Sequence, residues 1–380
     1  MNDTPASSLL FEPARLGPLA LANRLAMAPM TRSRALADGT PTPLMADYYE
    51  QRASAGLIVS EGVSISAQAQ GFLNVPGIFS DAHEAGWRTI TQRVHAAGSR
   101  FFMQLWHVGR IAHPDNMAGG LHPVAPRALA HDRTVVTPTG LQPAPVPTAL
   151  SDEGVRAVIA DYAQAARRAV AAGCDGVEIH AATGYLPGQF LHESTNLRDD
   201  AWGGTLEKRA RFLVEVARAC ADAVGSQRVG VRLSPFSVFN GAQSADDAAL
   251  HSHVLQSLAP LGLLYLHVVT AEVAGNQTVA HAEGAPRPDV VGFARALWPG
   301  GLIAAGGYDR AGAEDELARG RADVIAFGRD FIGNPDLPER LARGLPLTER
   351  RPADWYGAGA QGYTDYPRWS EAEAAVPSAP

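Results

Sequence analysis

The chain has 380 residues, 46% hydrophobic and 19% charged, enough apolar material to bury a large core. A formal net charge of −7 argues against a nucleic-acid partner or an anionic membrane surface, since both call for positive charge. The two cysteines, Cys174 and Cys220, exclude a disulfide framework and fit a cytoplasmic setting, with no signal-peptide pattern and no apolar run of membrane-spanning length.

Short apolar runs bounded by Gly or Pro read as parallel strands covered on both faces. In chain order, a strand over 24–30 (RLAMAPM) precedes a helix over 43–54, and a strand over 57–61 (LIVSE) precedes a helix over 83–97. A strand over 100–105 (RFFMQL) is followed, after a long gap, by a helix over 151–172 that opens on Ser151 with acidic residues in its first turn. Strands at 176–180, 229–233, 263–268, 302–305 and 323–327 alternate with helices at 205–224, 244–258, 288–297, 310–319 and 337–342. Eight strand–helix units over about 300 residues favour an α/β fold of the closed (β/α)8 type, a TIM barrel, over an open doubly wound sheet. One domain over 1–380 accommodates all of it, including a tail over 351–380. Residues 112–150 break the rhythm with six prolines between Pro123 and Pro147. This excursion after the third strand is either a cap over the site or a passive surface insertion.

In such a barrel the polar residues at the carboxyl ends of the strands face the active site. The ends present Pro29, Met30 and Thr31; Glu61 and Gly62; Gln104, Trp106 and His107; His180, Thr183 and Tyr185; Arg232; Gly306 and Gly307; and Gly328 with Arg329. Glycines after strands seven and eight, with an arginine, suit a phosphate site built from backbone N–H groups, although glycines there also serve tight turns. Gln104 and Arg232 suit the polar edge of a flat heterocycle, or form a structural ion-pair set with Glu61 or Glu178. His180, Thr183 and Tyr185 place two neutral donors and a phenol within six positions, a set that can polarise a carbonyl or nitro group and hand over a proton. GAGAQG at 357–362 fits G-x-G-x-x-G but lacks the strand–helix–strand setting of a dinucleotide fingerprint.

The stretches LANRLAMAPMTRSRA, ASAGLIVSEGVSIS, FFMQLWHVGRIAHP, GCDGVEIHAATGYLPGQFL, GVRLSP, DVIAFGRDFIGNPDL and YGAGAQGYTDYP, in this order, resemble the Old Yellow Enzyme family of FMN-dependent ene-reductases. The resemblance implies a (β/α)8 barrel, non-covalent FMN and NADPH (or NADH) as hydride donor. It implies that Pro29, Met30, Thr31, Gly62, Gln104, Arg232, Gly306, Gly307, Gly328, Arg329 and Tyr356 bind the cofactor. Tyr185 matches the proton donor and His180 the first of two substrate-binding donors, with Phe72 and Trp106 beside the substrate. Three positions depart from the family pattern. Thr183 stands where His or Asn is usual, Phe72 where Tyr is frequent, and Val273 where many members carry a large aromatic. The implied activity is reduction of the C=C bond of an electron-poor alkene by a ping-pong relay, in a monomer or homodimer. The alternatives are a nitrate ester or nitroaromatic reductase on the same scaffold, and a flavin-binding protein that has lost turnover. A flavin-free barrel lyase is disfavoured, because the strand ends offer neither a lysine nor a set of metal-binding carboxylates.

Overall fold

A computed structural model describes residues 8–275, 277–279 and 287–369. Its eight main strands are β1 (Leu25–Met27), β2 (Leu57–Ser64), β3 (Arg100–Trp106), β4 (Gly176–His180), β5 (Val229–Leu233), β6 (Tyr265–Val269), β7 (Gly301–Ala305) and β8 (Val324–Phe327). All pair in parallel and close in the order β4-β5-β6-β7-β8-β1-β2-β3, with β3 returning to β4. Closure removes the open-sheet alternative. The crossover helices are α1 (Pro43–Gln51), α2 (Asp81–Ala96), α3 (Asp152–Ala171), α4 (Leu206–Val224), α5 (Asp247–Leu258), α6 (Val290–Leu297) and α7 (Arg310–Ala318), with α8 (Leu337–Arg343) after β8.

α3 shows how local sequence builds these helices. The Ser151 hydroxyl accepts the Gly154 N–H at 3.1 Å, and Asp152 and Glu153 sit in the first turn, where the helix dipole favours negative charge. Val155, Val158, Tyr162, Ala165, Ala166 and Ala169 form one buried face, packed on α4 and on β3 and β4. Burial is worth about 1.5–3 kcal/mol for each large aliphatic side chain. The helix stops at Gly173, whose φ of 95° lies in the region other residues avoid.

The barrel interior is filled, not a pore. Ala26, Leu57, Val59, Phe102, Tyr265, Ile303 and Val324 form an inner cluster with Leu16 and Leu21. Those two leucines come from an N-terminal hairpin (Ala14–Leu16 with Leu19–Leu21) that packs into the barrel's amino end. Only the carboxyl end is left to hold a ligand. There β2 has a register shift between Val59 and Gly62, a bulge of the kind that re-aims side chains beside active sites. The 112–150 excursion forms a hairpin (Thr134–Thr137 with Gly140–Pro143) above a parallel pair, Val124–Ala125 with Thr148–Ala149. Among the described residues, no helix is long and apolar enough to cross a membrane.

Candidate active site

A cavity of about 550 Å³ opens at the carboxyl end of the barrel. Pro29, Met30 and Thr31 follow β1 into it, and His180, Thr183 and Tyr185 line it after β4. Arg232 enters from β5, Gly306 and Gly307 from the end of β7, and Gly328 with Arg329 from the end of β8. Phe72 and Tyr356 complete the predicted residues that line it. Gly62, Gln104 and Trp106 do not line it; they lie in the layer behind its wall. The excursion supplies His131, Arg133 and Thr134 to the rim, and the loop after β5 supplies Phe239 and Asn240. Those contributions had no motif to announce them.

His180 is buried, and burial, Arg232 and His267 all hold its pKa well below the usual imidazole value. The ring is therefore neutral at pH 7. The Ala182 N–H donates to its Nδ1 at 3.4 Å, so Nε2 carries the proton and is the donor. Tyr185 stands against it with ring centroids 4.9 Å apart. Burial pushes the Tyr185 phenol well above its ordinary value, Tyr356 adds to this and Arg232 opposes it, so the hydroxyl keeps its proton. Trp106 packs edge-on against Tyr185 at 4.9 Å and stacks on Phe72 at 5.2 Å, fixing an apolar wall behind both groups. Gly62 permits this wall, because a Cβ there would stand 2.5 Å from the Trp106 ring. Thr183 has φ 55°, its N–H held by the Ser234 hydroxyl at 2.9 Å and its carbonyl by the Asn240 amide at 2.8 Å.

Barrel register aligns His180 with Arg232 and Arg232 with His267 on adjacent strands, and Glu178 with Gln104 one layer below. Glu178 is fully buried and accepts from the Gln104 amide (2.7 Å), the Tyr265 hydroxyl (3.1 Å) and His267 Nδ1 (2.8 Å). Burial works to raise its pKa, but His267, Arg232 and the Gln104 amide outweigh it, so it stays ionised. Burial keeps His267 neutral. Glu178 thus balances Arg232 from behind without closing a direct ion pair with it. Arg232 Nε is buried with no hydrogen-bond partner. Of the ion-pair alternative only a hydrogen bond from Gln104 to Glu178 is present, and among the described residues Arg232 pairs with neither Glu178 nor Glu61. Glu61 turns instead toward α1, accepting the Arg32 N–H at 3.1 Å and the Tyr49 hydroxyl at 3.4 Å.

At the other end of the cavity, Gly307 has φ 82°, and a Cβ on it would point at Arg329 Nη2, 3.7 Å away. Arg350 also lines this end. The C-terminal segment that carries Tyr356 is held from below. Arg32 donates to the carbonyls of Trp355 (3.1 Å) and Gly362 (2.5 Å), and Arg34 to those of Trp355 (2.7 Å), Asp354 (3.1 Å) and Gln361 (2.8 Å). GAGAQG is therefore a turn whose carbonyls dock on arginines. It does not form a strand–helix junction.

Residues 9–348 match the model of the NADH:flavin oxidoreductase / NADH oxidase family. The chain belongs to the Old Yellow Enzyme family. It is 44% identical to chanoclavine-I aldehyde reductase of Penicillium roqueforti, over 97% of this chain and 99% of that one. Morphinone reductase in complex with tetrahydroNAD superposes with a TM-score of 0.88 at 43% identity, covering 96% of this chain and 98% of that one. The Old Yellow Enzyme homologue from Zymomonas mobilis gives 0.88 at 39%, covering 94% and 99%. This family member is an NAD(P)H-dependent oxidoreductase with FMN as its cofactor. The cavity fits that cofactor. The unpartnered, buried Arg232 Nε suits the polar edge of an isoalloxazine. Gly306 and Gly307, with Arg329 and Arg350, suit a phosphate.

Proposed function

We propose that this enzyme reduces the C=C bond of electron-poor alkenes, α,β-unsaturated carbonyl or nitro compounds, using NADPH or NADH. The observation that carries this reading is the neutral His180 donor beside a Tyr185 phenol that burial keeps protonated. FMN, when bound, supplies the hydride-transfer chemistry. His180 donates its Nε2–H to the carbonyl or nitro oxygen and draws electron density from the double bond, and the Thr183 hydroxyl is the second donor. Tyr185 gives its O–H proton to the α-carbon. Phe72, backed by the Trp106 ring stacked on it, forms the apolar wall that sets the plane of the alkene. On the cofactor side, Pro29, Met30 and Thr31 border the ring, and Gly62 acts from behind by making room for Trp106. Gln104, behind the cavity wall, has its amide nitrogen on Glu178 and so acts on the ring through Glu178 and Arg232. Arg232 brings positive charge to the ring and ribityl chain. Gly306, Gly307, Gly328 and Arg329 hold the phosphate, and Tyr356 closes the ring's outer edge. One cavity serves nicotinamide and alkene by turns, which makes the order ping-pong.

The test follows flavin absorbance anaerobically while NADPH and then cyclohexenone are added. Bleaching followed by recovery is expected. Recovery with no enone-dependent step would remove alkene reduction. In the same titration, Tyr185→Phe is expected to bleach at close to the wild-type rate and to recover roughly 10²-fold more slowly. Equal slowing of both steps would strip Tyr185 of the proton-donor role.

A further inference from the structure

We propose that Glu178 is a positioning residue that sets the redox poise of the flavin. Its carboxylate offsets the Arg232 cation from behind the cavity wall and so holds the midpoint potential of bound FMN down. The inference rests on the reading that sets Arg232 beside the ring.

Glu178 is fully buried, and each of its hydrogen-bond partners is neutral. The Gln104 amide reaches one carboxylate oxygen at 2.7 Å. The Tyr265 hydroxyl (3.1 Å) and His267 Nδ1 (2.8 Å) reach the other. A carboxylate only accepts, so His267 Nδ1 carries the proton, and burial keeps that ring uncharged. Neutral donors stabilise a buried carboxylate without cancelling its charge. Among the described residues, no lysine or arginine comes within ion-pair distance of it. The cation it acts on is Arg232. Strand register sets Glu178 beside Gly230, and His180, two residues further on, beside Arg232. Each of the two charges favours the ionised form of the other. Arg232 lines the cavity, yet its Nε is buried without a hydrogen-bond partner. Two opposite charges therefore stand in a water-poor wall, one at the cavity and one behind it, where screening is weak.

Hydride from the nicotinamide brings two electrons and one proton to the ring, which gains one negative charge. Arg232 favours that charge and Glu178 opposes it. With Arg232 alone, the ring would take up hydride readily and give it to an alkene reluctantly. With Glu178 behind it, hydride stays transferable in both half-reactions. Charge beside the ring is one of the means by which a protein tunes a flavin.

The test measures the midpoint potential of the FMN-loaded enzyme against a reference dye, with no alkene present. Wild type, Glu178→Gln, Tyr265→Phe and Arg232→Gln are compared. Glu178→Gln keeps the shape of the side chain and removes its charge. It is expected to raise the ratio of reduced to oxidised flavin about tenfold at a fixed potential, about 30 mV upward for a two-electron couple. Tyr265→Phe disturbs the same packing with the charge kept, and is expected to move the potential much less. Arg232→Gln is expected to move it downward. An unchanged or lowered potential in Glu178→Gln, or an equal rise in Tyr265→Phe, would overturn the proposal. A fall in Arg232→Gln with no rise in Glu178→Gln overturns it while leaving Arg232 at the ring. No shift in either removes Arg232 from the ring as well. None of these outcomes depends on an alkene being the acceptor. If Glu178→Gln fails to fold or to hold FMN, reduced-minus-oxidised infrared spectra decide, taken on Glu61→Gln protein carrying isotope-labelled glutamate. A labelled carboxylate band that shifts on flavin reduction upholds the proposal. A labelled protonated carboxyl band, or no labelled band, overturns it.

Discussion

At Thr183 the side chain and the backbone want different things. Its φ of 55° is left-handed, and a β-branched residue there costs about 1–2 kcal/mol relative to one at home in that region. The conformation persists because Ser234 and Asn240 hold its N–H and carbonyl. Asn tolerates this backbone and carries a longer donor. Thr183→Asn is therefore expected to raise stability by about 1 kcal/mol, a shift of about 1–2 °C in a chain of this size. Thr183→Val keeps the β-branch and is expected to give no gain. Thermal unfolding of the three proteins checks the pair, and an equal Tm for Asn and Thr would remove the strain argument. The resemblance already marked Thr183 as a departure from the family pattern. The reason that departure costs stability lies in a dihedral angle, which no residue pattern records.

Among the elements, the C-terminal segment depends most on distant support. Arg32 and Arg34 lie one and three residues after Thr31, and Arg52 at the end of α1 donates to the carbonyls of Phe331 (2.8 Å), Ile332 (2.9 Å) and Tyr363 (3.3 Å). Tyr363 stacks on Tyr48 of α1 at 4.1 Å. The β1–α1 unit thus holds the segment that sets Trp355 and Tyr356 at the cavity. Hydrogen bonds to a charged donor contribute about 1.5–3 kcal/mol, so Arg34→Ala should loosen this segment before it loosens the barrel. The expected outcome is faster proteolytic cleavage within 351–369 and roughly tenfold weaker FMN retention, with barrel unfolding changed little. Unchanged cleavage and FMN affinity would show that Arg34 does not hold the segment. The eight strands and eight main helices were legible in sequence because each is a local pattern of apolar runs, caps and stops. The short helix Leu186–Leu191 was not, although Pro187 near its start is a helix-opening signal. Nor was the docking of Arg32 and Arg34, since their carbonyl partners lie more than 300 residues away. Glu178 could be named as a partner for Gln104, but its bonds to Tyr265 and His267 follow only from the register of a closed barrel.

For the molecule as a whole, buried titratable groups set the response to pH. Burial lowers His107 to about 3 and also lowers His83, His131, His180 and His267. Their unfolded values lie near 6.5. Below that pH the unfolded chain binds protons that the folded chain refuses, so stability is lost as pH falls. Glu61 acts in the opposite sense. Burial raises it from 4.5 to about 7, against the pull of Arg32, Ser33 and Tyr49. Between those values the folded chain holds a proton the unfolded chain has released, so this contribution is present at low pH and is lost as pH rises through 7. Burial also raises Asp161 and Asp330, but five histidines outweigh the raised carboxyls and make the net trend a falling Tm from pH 7 to pH 5. Glu61→Gln removes the opposing contribution that reaches nearest to neutral pH, while its amide oxygen still accepts the Arg32 N–H. Over the same interval the variant should lose about 2 kcal/mol more than the wild type, the linkage integral for a carboxyl shifted from 4.5 to about 7. Parallel Tm curves for the two proteins between pH 5 and pH 7 would mean that Glu61 titrates alike in the folded and unfolded chain.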